Sequence, residues 1–413
     1  MTDDQIVAHI LGELDRNITP QIKPNTMVVN DFVSKVQEQF GNSDLYPSQA
    51  SHYLHQQAFV ISGINVHEAY QAGVRGNILH EAHQAGVRGS ILHEAYKADV
   101  MHGGSAYEAL SVKVKTDFDI IILLSDPYVG KNFEVERDSS GFFRLKWKPP
   151  RHGYLDAVKL QKQAFEELSR CVDIVTSRKM VQQVQSVKYK EGLAALDLEI
   201  TTRDGRRISV DLAAQIAVRE WKGADLVRLK DLPQTLQMYI DKLQRNGSPI
   251  YFISPSVPGR HVDKTQLCNI SFSMLEKEFL RSHVEIRDMV RMVKLVGLAC
   301  DWKKKFTLKS FYIKRLAVKF SDELQHQTKW AGYRLLLQHL RDELQQTNTI
   351  DGFFVHGQVL YKKKPEKIQE FCRAINEALS WNSQQEVIRL VDSSDLGRRI
   401  SKMRFSYSRS FVG

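Results

Sequence analysis

Apolar residues recur along the chain at two different periods, and the change of period divides it. Over residues 26–40, Val28, Phe32, Val36 and Phe40 stand four apart, the spacing that lays side chains along one stripe of an amphipathic helix. Residues 118–124 are instead an apolar run broken only by Asp119, with Ile120, Ile121 and Ile122 at its centre, which predicts a buried strand. Two hairpins are expected beside it. The runs 133–136 and 142–147 flank Asp138-Ser139-Ser140-Gly141, and the runs 196–200 and 208–212 flank a turn with Asp204-Gly205 at its tip. Both are read as parts of one sheet. A helix is expected over 154–170. Beyond about residue 215 the period changes, and from 272 to 391 it is almost wholly helical. The fold class that follows is α+β, a mixed sheet first and an all-helical lobe after it.

Between residues 67 and 102 a 13-residue unit repeats, as 67–79, a second copy over 80–92 and a degenerate third from His93. Two copies and a remnant are too few to stack into a solenoid. The segment is read as a local expansion, and its histidines (His67, His80, His83, His93, His102) as products of repetition rather than zinc ligands. The expected divisions are an N-terminal helical segment (1–66), the repeat insertion (67–102), a sheet-bearing core (103–225), a helical lobe (226–395) and a C-terminal tail (396–413).

Composition narrows the class without choosing a function. No apolar stretch approaches the roughly 20 residues that span a bilayer, and the first residues carry neither the cationic nor the apolar region of a secretory signal. A soluble protein with no membrane partner is expected, cytoplasmic, with a nuclear location left open. Cys171, Cys268, Cys300 and Cys372 lie far apart without metal-ligand spacing, and predict free thiols in a reducing compartment. The formal net charge is +10. From Arg281 to Arg315 ten basic residues stand against three acidic ones, a net of +7. Such clustering fits either a polyanion-binding face or a solvated helix.

One spacing concentrates the chemistry. Gly104-Ser105 is followed, twelve and fourteen residues after the serine, by Asp117 and Asp119. Residues i and i+2 of a strand project to one face, so the two carboxylates can address one pocket. Their repulsion is relieved by cations, and Mg2+ takes oxygen ligands with a triphosphate completing its shell. Asp211, in Ile208-Ser209-Val210-Asp211, can lie on an adjacent strand. Three carboxylates so placed can hold two metal ions, which activate an attacking hydroxyl and steady a pyrophosphate leaving group. The Gly-Ser turn would add backbone N–H groups and a hydroxyl for terminal phosphates. Gly89-Ser90 and Gly247-Ser248 lack acids at the same offsets. The plain alternative is a solvent-exposed acidic pair at a strand end.

Gly104-Ser105-Ala106-Tyr107-Glu108 with Asp117-Phe118-Asp119, then Ile208-Ser209-Val210-Asp211, then the 271–279 run from Ser271-Phe272-Ser273 to Phe279, resemble in order the motifs of cyclic GMP-AMP synthase and the animal cyclic GMP-AMP synthase-like receptors. The resemblance spans roughly residues 100–380. More distant relatives of that family are oligoadenylate synthetases and other DNA-polymerase-β-type nucleotidyltransferases. The resemblance implies a bilobal nucleotidyltransferase fold and synthesis of a cyclic dinucleotide of the cyclic GMP-AMP type from ATP and GTP, with Mg2+ or Mn2+, in innate immune signalling. It implies metal ligation by Asp117, Asp119 and Asp211 and triphosphate binding at Gly104 and Ser105. Lys294 and Ser310 become phosphate contacts, and Phe311 a base-stacking platform where the family often has tyrosine. Asn269 stands where the vertebrate synthase has a base-contacting arginine, which leaves base choice open.

Arg287, Arg291 and Lys294 share one helix face. The resemblance turns Arg287 and Arg291 outward as phosphate contacts for a nucleic acid, contacts that read no sequence. No cysteine lies between residues 280 and 291, where the vertebrate DNA sensor carries a His/Cys zinc insertion, so double-stranded RNA is favoured over DNA as activator. Pairing of active units on that ligand is left open. Two rival readings stay open as well: a catalytically silent family member acting as a nucleic-acid-binding scaffold, and a linear oligoadenylate-type polymerase with the same metal ligands.

Overall fold

A computed structural model describes residues 2–40, 100–103, 117–124, 130–138, 142–223, 225–255 and 265–392. Of the repeat segment only residues 100–102 fall among them, and Gly104, Ser105 and the 396–413 tail lie outside. In chain order the elements are α1 (Asp3–Phe40), β1 (Val100–Gly103), β2 (Asp117–Leu123), β3 (Phe133–Arg137), β4 (Phe143–Trp147), α2 (Ala157–Ser177), β5 (Val184–Glu191), β6 (Leu196–Thr202) and β7 (Arg207–Val218). There follow α3 (Gln234–Arg245), β8 (Tyr251–Ser254), β9 (Asn269–Ser271), α4 (Ser273–Ser282), α5 (Val284–Ala299), α6 (Trp302–Phe306), α7 (Ser310–Lys319) and α8 (Ser321–Leu324). The last are α9 (Lys329–Thr347), β10 (Thr349–Asp351), β11 (Val359–Lys362), α10 (Pro365–Ser380) and α11 (Ser383–Asp392).

Helix α1 extends far N-terminal of the 26–40 stripe and contains Pro20 and Pro24. A proline inside a helix costs about 3 kcal/mol. Val7, Leu11, Leu14, Ile18, Ile22, Val29, Phe32, Val33, Val36 and Phe40 are all buried, and each such side chain contributes roughly 1.5–3 kcal/mol. The stripe therefore outweighs the two prolines, which sit on the exposed side. Helix α2 begins at Ala157 because Asp156 caps it, its Oδ1 accepting from the Lys159 N–H at 2.9 Å. The 154–170 expectation thus shifts by three residues at one end and seven at the other.

The main sheet runs β1-β2-β7-β6-β5, with β8 paired to the far end of β7 and β9 to β8. Strands β2 and β7 are parallel, and their neighbours pair antiparallel. One face is apolar throughout: Phe118, Ile120 and Ile122 join Ile200, Ile208 and Val210 and the α2 residues Leu160, Phe165 and Leu168 in the principal core. The other face changes character along its length. Ile121 and Leu123 sit in a small second core with Ala217, Phe252 and Met274, whereas Asp119 and Asp211, earlier on that face, are exposed. Strand β8 therefore extends this apolar end of the face, and helix α4 packs onto it through Met274.

Two expectations are corrected, and one strand was not foreseen. The 133–147 hairpin forms, but as a separate two-stranded ribbon, because β1 occupies the free edge of β2; the ribbon instead bridges to Cys268. Strand β5 has a polar, largely exposed pattern that gave no apolar signal. The helical stretch after 272 is interrupted by the β10–β11 hairpin. Among the described residues no helix is long and apolar enough to cross a membrane, and all four cysteines are unbridged.

Helix α5 is the centre of the helical part. It packs against α4, α6, α7, α9 and α11 and buries residues on nearly its whole circumference. It meets α9 at Gly332, where an added Cβ would lie 2.3 Å from Met289 Cε.

Candidate functional site

Strand register sets the arrangement of the acids. Asp119 on β2 stands directly beside Asp211 on β7, and Asp117 beside Ser209. Paired positions on adjacent strands carry their side chains to the same face, with strands about 4.8 Å apart. On the other flank of β7, Asp211 also pairs with Asp197 of β6, and Asp197 with Lys190 of β5. One row across four strands therefore reads Asp119, Asp211, Asp197, Lys190. Asp197 was not anticipated, although Leu196-Asp197-Leu198-Glu199-Ile200 alternates in a way that puts it on this face. Its carboxylate leans away from Asp211, toward Lys190 Nζ at 3.7 Å and the space left by Gly192, where a Cβ would fall 2.7 Å from Asp197 Oδ1.

Among the described residues no three His, Cys, Asp or Glu side chains converge on a point where a metal ion would sit. Asp119 and Asp211 supply a pair, and the remaining sequence-expected ligand, Asp117, is placed by its backbone in register with Ser209. The pair fits a divalent cation in its chemistry. It offers oxygen donors on neighbouring strands, on a stretch of that face where both carboxylates are exposed, and adjacent carboxylates favour a cation between them.

The residues expected to contact phosphate come from the helices. Lys294 is buried on α5. Ser310 is the first residue of α7, and the residue before that helix, Lys309, makes no side-chain cap. Phe311 is half-buried against the core and tilted on Tyr312, with ring centroids 4.1 Å apart. Lys314, one turn after Ser310 and therefore on the same side of α7, is buried; the i, i+4 spacing from Ser310 could have identified it. Nearer the acids, buried Lys277 of α4 donates from Nζ to the His102 carbonyl of β1, one residue before Gly103, the register partner of Asp119. Beside it, buried Glu276 accepts from Arg315 Nε, and Arg315 lies over the rings of Phe272 and Phe354. Asn269 pairs with Ser254. Gly104 and Ser105 lie outside the described residues.

The expected nucleic-acid face on α5 is corrected. Arg291 is 3% exposed, its guanidinium bonded to Asp15 of α1 at 2.7 Å and 3.6 Å from Asp288. Arg287 is half-buried, 3.8 Å from the same Asp288, which Lys329 also binds at 2.7 Å. Arg291 thus ties α1 to the central helix, and Lys329 ties α9 to it through Asp288, where an outward arginine face was expected. Of the ten basic residues between 281 and 315, the exposed ones are Arg281, Lys303, Lys304, Lys305 and Lys309. The Tyr361 hydroxyl donates to the Phe306 carbonyl at 2.8 Å, which joins the strand that precedes exposed Lys363 and Lys364 to the helix that carries exposed Lys303, Lys304 and Lys305. The cationic surface is thus assembled from two distant stretches of sequence.

No family model matches the chain, and no curated protein matches it significantly.

Proposed function

We propose that this chain is a bilobal nucleotidyltransferase of the cyclic GMP-AMP synthase-like kind, joining ATP and GTP into a cyclic dinucleotide when a nucleic-acid duplex binds. The observation that carries the reading is the side-by-side register of Asp119 and Asp211, both exposed on one face of the sheet, with Asp117 two residues upstream. Mg2+ held by Asp117, Asp119 and Asp211 would supply charge neutralisation for the pyrophosphate leaving group and acidify the attacking hydroxyl. Asp211 would orient that hydroxyl from the neighbouring strand. Ser310 and the buried lysines Lys294 and Lys314 would hold donor phosphates, since an ammonium in a partly dry site binds phosphate more strongly than one in water. Phe311, half-exposed at the start of α7, would stack on a base.

For the activator, the exposed surface around Lys303, Lys304, Lys309 and Lys362 to Lys364 takes the place of the Arg287–Arg291 face. Lysines so arranged contact phosphates without reading bases, and double-stranded RNA stays the favoured ligand. The purified chain incubated with labelled ATP and GTP, Mg2+ and an RNA or DNA duplex should yield a cyclic dinucleotide. A linear ladder would move the reading to an oligoadenylate-type polymerase, and no turnover with any duplex would move it to a binding scaffold.

A further inference from the structure

Strand β5 ends the main sheet on the side away from β1, and among the described residues it pairs with β6 alone. Its outer edge is therefore an unfilled row of backbone donors and acceptors, eight residues long. The register with β6 sorts its side chains. Val184, Val187 and Tyr189 stand opposite Thr202, Ile200 and Leu198, all buried, and so lie on the apolar face. Val184 and Val187 pack against the core but are only half-buried. Tyr189, whose hydroxyl donates to Asp173 of α2 at 2.9 Å, keeps 38% of its surface exposed. Exposed Lys188 and Lys190 stand opposite Glu199 and Asp197 on the other face. Lys190 meets Asp197 at 3.7 Å on its inner flank, yet its side chain is 79% exposed. Lys179 and Arg203 are exposed beside Val184 and Gln185 where the strand begins. The apolar face of the sheet thus ends in half-covered side chains, and the polar face in cations.

We infer that this edge takes up an extended segment of a partner protein in which acidic and apolar residues alternate. Strand addition draws affinity from the backbone and specificity from alternate side chains. A segment so patterned would lay its apolar residues beside Val187 and Tyr189 and its carboxylates beside Lys188 and Lys190, because side chains at paired positions share a face. Each lysine would then stand between two acids, one from β6 and one from the partner. The same lysines disfavour other occupants. A second copy would bring its own Lys188 and Lys190 against them, and a wholly apolar strand would leave them unmatched. The inference does not depend on nucleotidyl transfer.

The test titrates a terminally blocked, fluorescent peptide of the strand's own length, alternating Glu and Ile, into the full chain. Anisotropy should show saturable binding, and hydrogen exchange along residues 184–191 should slow. Collecting the same peptide residues into one acidic and one apolar block, or N-methylating every peptide amide, should weaken binding about tenfold or more. Lys188→Gln with Lys190→Gln should weaken it about fivefold or more with the fold intact by circular dichroism, whereas Lys303→Gln with Lys304→Gln, the same charge change on α6, should cost less than about twofold. Equal binding of alternating and blocked peptides, unchanged exchange along 184–191, or equal loss with both pairs of substitutions overturns the proposal. Slow exchange along the strand in the free chain overturns it too: if it depends on protein concentration a second copy holds the edge, and if it does not the chain covers the edge itself.

Discussion

Asp211→Asn should abolish nucleotide incorporation, by on the order of a thousandfold or more, while leaving the fold as stable as before. The two halves of this expectation come from the same geometry. Asp211 is exposed on the sheet face, and substitutions at exposed positions usually change stability by about 0.5 kcal/mol or less. Asn is nearly isosteric with Asp, so at this exposed position stability should hold. Duplex binding, assigned to lysines on α6 and around β11, should be unaffected. A variant that still turns over would remove Asp211 from the site. One that loses activity together with its melting transition would make the row of acids structural.

A second large effect is expected at Glu386, which is buried on α11 and accepts from the Tyr333 hydroxyl of α9. Burial raises its pKa from 4.5 to about 7, reinforced by the charge of Asp3 and opposed by the Tyr333 hydrogen bond and by Arg334. Folding therefore favours the protonated acid. The associated stability is full below about pH 4.5 and is lost as pH rises through about 7, a change on the order of 3 kcal/mol. Glu386→Gln keeps an acceptor for Tyr333 and removes the titration. In denaturant unfolding it should match the parent near pH 5 and exceed it at pH 8; curves that stay parallel across that range would show that Glu386 does not titrate in the folded state.

The acidic pair was legible in the sequence because strand parity is a rigid rule: Asp117 and Asp119 are two apart in an apolar run, and Asp211 repeats the setting on a second strand. Their register was not, since parallel pairing of β2 with β7 joins segments about ninety residues apart and no local pattern encodes it. Asp197 escaped for the same reason; it becomes the neighbour of Asp211 only once β6 and β7 pair. Arg291 was misread for a different reason. Spacing of four and three does put Arg287, Arg291 and Lys294 on one face, but α5 is surrounded by other helices, so that face points inward, where Asp15 and Asp288 compensate its charge. Helix α1 shows the limit of proline as a stop signal, because its apolar stripe continues on both sides of Pro20 and Pro24. Strand β5, polar along most of its length, is held by pairing with β6 rather than by burial.

The most direct test of the central claim is divalent-ion binding by the acids themselves. Mn2+ titrated into the chain with a non-hydrolysable ATP analogue, followed by paramagnetic resonance, should show bound ions whose affinity falls at least tenfold in both Asp119→Asn and Asp211→Asn. Binding that neither substitution changes, or no nucleotide-dependent binding at all, would contradict the account.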